Sequence, residues 1–391
     1  MRLKTSVGGM LFLSAYLMML ADGILIGFST LGELRGCRQI SLALRGMAAG
    51  FVVMKVFLDR RYLLSDILKM LALGAALLLA FYRSRYNHLF YALLLMIGMR
   101  GVDARRLIRI DLWARIVMMA FVMLLALTHT IENYALWRPQ TQSFRYSLGF
   151  SQPNTLAALA FGVVLEEAWL NDRNPSWLYA AFVWGLSAAL YGVTGNRTAV
   201  ILLAAFPLCL CWKKWRARRG VSRLTQCAGM AAYPILAAFS FIVMKGTEGV
   251  SWVSLLDGLF SARFANAARL YAQYGCSLFG QRVELTSLKM AQMFNVGLAL
   301  LDVAYLRLMI EGGLLAFTVY MLLYMNGVRR SARRRSAVSI LALCLFAVFG
   351  VMESGANNPC MNFTMILMAE ALYCHGDEQK SEAQHGAVGA C

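Results

Sequence analysis

The stretch L-W-A-R-I-V-M-M-A-F-V-M-L-L-A-L-T-H-T-I, residues 112–131, carries one formal charge, Arg115, in an otherwise apolar run. A helix needs about 20 largely apolar residues to cross the hydrocarbon of a bilayer. Runs of the same kind recur at 8–28, 41–58, 65–82, 86–99, 154–170, 176–194, 198–212, 227–244, 304–325, 337–354 and 361–374. They predict an all-α polytopic integral membrane protein of about twelve transmembrane helices. Residues 1–391 read as a single polytopic membrane domain, with a polar tail over 375–391.

Composition agrees with lipid as the solvent. Of 391 residues, 60% are hydrophobic and only 15% charged, against about 25% charged in soluble domains. Mean hydropathy is +0.59. A soluble core could not hide that much apolar surface, because even a large domain exposes much of its area. These figures exclude a cytosolic globular enzyme, a disordered chain and a disulfide scaffold. The N-terminus, Met1 to Ser29, is basic and then apolar over a long run, which favours an uncleaved first helix over a signal peptide. The nine cysteines lie mostly inside apolar runs, with no metal-ligand spacing.

The net charge of +18 sits in short clusters between the apolar runs. With the N-terminus cytoplasmic, most Lys and Arg fall in inside loops, including K-K-W-R-A-R-R (213–219) and R-R-S-A-R-R-R (329–335). The basic runs are therefore read as topology signals and anionic-lipid anchors, not as a nucleic-acid surface. Both termini are then cytoplasmic, and the longest connecting segment, 245–303, becomes one large extracytoplasmic loop.

That outer face gathers polar residues. In L-F-S-A-R-F-A-N-A-A-R-L-Y-A-Q-Y-G (259–275), Arg263, Asn266, Arg269 and Gln273 fall within an arc of about 120° on a helix, with Phe260, Phe264 and Tyr271 on another side. The predicted amphipathic helix either lies at the lipid surface or offers arginines to an anion, since the guanidinium fork matches phosphate. T-G-N-R-T (194–198) puts Arg197 at the membrane boundary, where a charge at full depth costs about 3 kcal/mol. S-L-G-F-S-Q-P-N-T-L-A (147–157) opens the sixth run, with Gln152 before Pro153 and Asn154 as an N-cap or an amide for a sugar hydroxyl. L-L-D-V-A-Y-L-R-L-M-I-E-G-G-L-L (300–315) brings Asp302, Tyr305 and Glu311, and M-E-S-G-A-N-N-P (352–359) brings Glu353, Asn357 and Asn358.

No D-x-D, G-x-S-x-G, H-E-x-x-H or Walker motif is present. Cations beside carboxylates at an outer leaflet suit a donor that carries its own diphosphate leaving group, such as a polyprenyl-pyrophosphate-linked sugar. Arginine would stabilise the departing charge, and a carboxylate would take the acceptor's proton.

These motifs, in their order over about residues 145–370, resemble those of bacterial oligosaccharide repeat-unit polymerases of the Wzy type and, more distantly, O-antigen ligases. The resemblance implies a GT-C-like membrane glycosyltransferase of the bacterial cytoplasmic membrane, active at its periplasmic or extracellular face. It implies no metal and no cofactor, and partners in membrane lipid, a flippase and a chain-length regulator. The family's pocket arginines fall on Arg197 and Arg263, with Arg269 or Arg282 as further candidates. The family often has His where Gln152 stands and Ser where Asn196 stands; neither amide is a base at neutral pH, so Asp302 and Glu353 are the candidate bases. Gln152, Asn154, Tyr305, Glu311 and Asn357 are the candidate substrate-binding residues. Two alternatives stay open. One is a ligase that moves finished glycan to another acceptor. The other is a flippase, which would use charges within the spans such as Asp22, Arg45, Lys55 and Arg115.

Overall fold

The computed structural model describes residues 7–59, 62–138, 142–172, 176–217, 221–247, 251–286 and 299–373. Among these residues the chain is mostly helical. The helices are α1 (Val7–Ala21), α2 (Cys37–Leu58), α3 (Leu64–Ser84), α4 (Asn87–Gly98), α5 (Ala104–Leu127), α6 (Pro153–Leu170), α7 (Trp177–Thr194), α8 (Arg197–Ala217) and α9 (Arg223–Gly246). They continue with α10 (Ser251–Leu259), α11 (Arg263–Tyr274), α12 (Ala304–Arg307), α13 (Leu314–Arg333), α14 (Ala337–Phe349) and α15 (Thr364–Tyr373). One hairpin, β1 (Ala135–Arg138) and β2 (Ser143–Tyr146), pairs antiparallel with Trp137 opposite Phe144 and Leu136 opposite Arg145.

Among the described residues, six helices are long and apolar enough to cross a membrane: α1 with its wider-wound continuation to Gly27, α2, α3, α5, α7 and α9. Neighbours in sequence pack as pairs, α1 on α2, α3 on α4, α5 on α6 and α7 on α8, while α13 lies against α9 and α15. One apolar core joins them; within it Phe161 stacks on Phe349, and Phe346 meets Phe349 edge-on.

Two of the remaining apolar runs, at 304–325 and 337–354, are interrupted, and the interruptions border the site. The run at 304–325 breaks in two. After α12 the helix widens over Leu308–Gly312, and Gly313 takes φ 90°. The loop after α11 inserts into the gap. Leu314 and Leu315 N–H donate to the Ser277 and Leu278 carbonyls, and Gln281 N–H donates to Glu311 C=O, all at 3.0 Å. The Gln281 amide donates to the carbonyls of Tyr274, Gly275 and Ile310. A Cβ on Gly313 would fall on the backbone nitrogen of Gly280. Only glycine fits this approach and this φ.

The run at 337–354 is also shorter than its hydropathy suggests. α14 ends at Phe349, and an irregular stretch leads to α15. Buried asparagines satisfy that backbone, as unpaired polar groups away from water would be costly. Asn362 donates to Ala356 C=O (2.7 Å) and accepts from Thr364 N–H (3.0 Å), Asn358 accepts from Cys360 N–H (2.9 Å), and Asn357 donates to Ala304 C=O (2.7 Å).

Arg115 fastens this stretch from the far side. Its guanidinium donates to the carbonyls of Cys360 (2.7 Å) and Pro359 (2.9 Å) and pairs with Asp111 (2.9 Å) and Glu166 (3.0 Å). All three charged side chains are fully buried. Asp22 pairs with Arg45 at 2.6 Å and accepts from the Tyr91 hydroxyl, and Lys55 donates to the Gly98 and Arg100 carbonyls. The span charges that would serve a flippase thus have internal partners.

Two local expectations change. Residues 259–275 do not form one helix: Ser261 and Ala262 have φ 59° and 57°, and α11 begins at Arg263. The buried Asp257 carboxylate explains the restart, accepting from the backbone N–H of Phe264 (2.9 Å) and Ala265 (3.1 Å), as an anion at a helix N-terminus should. Asn154 is not the N-cap of α6. Pro153 starts the helix, its fixed φ suiting the first position, and the Asn154 side chain turns elsewhere. The tail at 375–391 and part of the segment 245–303 lie outside the described residues.

Candidate functional site

The interruptions open a cleft of about 800 Å³, open to solvent. The start of α6 contributes Ser151, Gln152, Asn154 and Thr155 to it. The stretch before α12 contributes Asp302, α12 contributes Arg307, and the stretch after α14 contributes Glu353 and Ser354. His88, at the start of α4, also lines it.

Behind this lining stands Arg263, the first residue of α11, which reaches two of the lining carboxylates. Its Nη2 lies 3.2 Å from Glu353 Oε1 and its Nε 3.8 Å from Asp302 Oδ2. Nη1 is buried with no hydrogen-bond partner among the described residues. The aromatic side of α11 packs on α9: Phe264 meets Phe239 edge-on, Phe241 meets Tyr271 edge-on, and Lys245 Nζ lies 3.9 Å from the Tyr271 ring centre. That packing gives Arg263 a fixed origin.

Glu353 is further held by Asn154, whose Nδ2 donates to Oε1 at 3.3 Å. Asn154 Oδ1 in turn accepts from Arg145, whose Nε donates to Thr194 C=O at 2.6 Å. Burial holds the Glu353 carboxyl above the ordinary carboxylate range; the Arg263 guanidinium opposes this and the Asp302 charge reinforces it. Such a carboxylate is a stronger proton acceptor than an exposed one. A second pair faces the same cleft: Arg307 Nε donates to Glu311 at 2.8 Å and Nη1 to Ser354 Oγ at 3.3 Å, with the guanidinium over the Tyr86 ring at 4.6 Å.

The structure therefore brings together Gln152, Asn154, Arg263, Asp302 and Glu353, with Glu311 behind Arg307. Others stand apart. Arg197 is exposed at the first residue of α8, while Asn196 beside it caps that helix, accepting from Thr198 (2.9 Å) and Ala199 (3.3 Å) N–H. Arg269 is exposed and donates to Asn266, and Arg282 is exposed. Tyr305 is buried, donates to Ala347 C=O at 2.5 Å and meets Tyr233 edge-on; Asn357 is buried against α12. These last two brace the interrupted backbone.

Arg145, Arg307 and His88 were not singled out from the sequence. Arg307 had a readable signal, the i, i+4 spacing to Glu311. Arg145 had none, because only the hairpin register decides which face of β2 meets α6. Among the described residues no cluster of three or more His, Cys, Asp or Glu is placed to hold a metal ion. Comparisons with models of protein families, with curated proteins and with solved structures each find no match.

Proposed function

We propose that the chain is a membrane glycosyltransferase that polymerises oligosaccharide repeat units carried on a polyprenyl diphosphate. In this reading it crosses the bacterial cytoplasmic membrane about twelve times with both termini inside. The cleft opens outward, and a flippase and a chain-length regulator work beside it. The observation that carries the proposal is one cleft lined by Asp302 and Glu353, both held by Arg263 behind them, next to amides suited to sugar hydroxyls and among apolar helices suited to a lipid tail.

The step would run as follows. An acceptor hydroxyl oxygen attacks the anomeric carbon of the donor sugar. The new C–O bond forms as the bond to the diphosphate oxygen breaks, and its electron pair leaves with the polyprenyl diphosphate. The hydroxyl proton passes to Glu353. Arg263 and Arg307 offset the charge that grows on the leaving group.

The test is to replace Arg263 with Ala in the producing cell and to separate surface glycan from lipid-linked intermediates. Single repeat units on carrier lipid at the outer leaflet, without long chains, are expected. Units trapped in the cytoplasmic leaflet would indicate a flippase, and long chains left on the carrier a ligase. Unchanged glycan would overturn the reading.

A further inference from the structure

We infer that Glu353 and Asp302 hold, on Arg263, the place that the donor's diphosphate takes, so that seating the donor is an exchange of ion pairs that frees the general base. The inference rests on the proposed donor and adds how that site is controlled.

Three features carry it. First, the guanidinium is incompletely used. Its contacts to Glu353 and Asp302 are 3.2 and 3.8 Å, against 2.8 Å for Arg307 with Glu311, and Nη1 is buried without a partner among the described residues. A buried unmet donor is costly, and an anion with several oxygens would satisfy it together with the other two nitrogens. Second, the carboxylates are acceptor-only groups standing where such an anion would meet Arg263. Two carboxylates on one guanidinium leave an excess negative charge, which a diphosphate would repel unless the guanidinium turned to it. Third, Glu353 is not stranded by the exchange. Oε1 keeps the Asn154 amide, which Arg145 orients from the opposite side. The other ionisable groups facing it across the cleft are Asp302, Arg307 and His88.

The chemical consequence is an ordered reaction. While Arg263 is on Glu353, the positive charge weakens that carboxylate as a proton acceptor. Once Arg263 has moved to the diphosphate, Glu353 regains its proton affinity, and the acceptor hydroxyl is deprotonated only with a donor in place. Premature attack by water is disfavoured for the same reason.

The experiment is calorimetric binding of inorganic pyrophosphate to the full chain in detergent at fixed ionic strength. The proteins compared are the wild type, Glu353→Gln, Asp302→Asn, Arg263→Ala, and each carboxylate variant combined with Arg263→Ala as a double variant. Removing the competing charge should tighten pyrophosphate binding about tenfold in Glu353→Gln, or about 1.4 kcal/mol, although turnover falls. Asp302→Asn, whose contact is longer, should tighten it less. Both effects should vanish without Arg263. Equal or weaker binding by Glu353→Gln would overturn the exchange, and so would tightening that persists in its double variant, since it would reflect only the general field. If Glu353→Gln does not fold, Asp302→Asn carries the same comparison. Wild type and Arg263→Ala binding pyrophosphate equally would instead remove the donor site itself.

Discussion

Arg115 and Arg263 each stand between two carboxylates, yet the two clusters are opposite in design. Around Arg115 everything is buried and every contact is short. Asp111, Glu166 and the carbonyls of Pro359 and Cys360 lie at 2.7–3.0 Å, and the charged side chains are sealed from solvent. Around Arg263 the contacts are longer, one nitrogen has no partner among the described residues, and the carboxylates border an open cleft. The lesson is that a charge within an apolar bundle is not itself a sign of chemistry. What separates a fastening from a site is whether the ion pairs are short and sealed from solvent or longer and bordering an open cleft.

The comparison can be broken most directly at Arg115. Arg115→Ala leaves two buried carboxylates and two carbonyls without their donor, and breaking a buried pair costs about 3–5 kcal/mol. We expect no monodisperse protein by size-exclusion in detergent. Normal yield would mean that the two clusters are not different in kind. Arg263→Ala should fold normally and slow polymerisation by about 10²–10³-fold, the range for losing one charge-stabilising donor. Arg263→Lys should recover little of it, because an ammonium lacks the planar fork.

A smaller effect concerns pH. Burial raises the Glu353 carboxyl, so its basic form is lost on acidification at a higher pH than for an exposed carboxylate. The rate should therefore fall on the acid side through that raised value, as the base becomes protonated, and Glu353→Gln should abolish that limb while lowering the rate at neutral pH. An acid limb unchanged in the variant would assign it to another group. The smallest effect is expected at Arg197. Because Arg197 is exposed, Arg197→Ala should change chain length and rate less than about twofold, in line with surface substitutions. A loss as deep as that of Arg263→Ala would show that the exposed position is drawn into the cleft during turnover.

Much of the helical frame was legible, because apolar runs of 15–24 residues announce themselves by composition alone. The breaks were not. Nothing local in L-M-I-E-G-G says that a loop from residues 275–281 will pack against Gly312 and Gly313; the glycine pair permits it, and distant carbonyls and amides require it. The candidate site was legible at Gln152, Asn154, Arg263, Asp302 and Glu353, where polar residues interrupt apolar runs. Arg197, with the same appearance in sequence, stands apart because Asn196 takes the capping position and the chain turns its neighbour outward. Arg145 depended on strand register, which hydropathy does not encode.

The interruption between α14 and α15 bears on how the molecule is made. At 13 residues α14 reaches about 20 Å, short of the roughly 30 Å of hydrocarbon that a lone segment must bridge. By length α14 is a weak membrane segment by itself, so the segments already in place must help to hold it. Arg115, made some 240 residues before the carbonyls it grips, waits through most of synthesis for the last part of the chain. A ribosome that halts short of Pro359 leaves that guanidinium with its carboxylates but without its two carbonyl acceptors, so the cluster is closed only when the last part of the chain arrives.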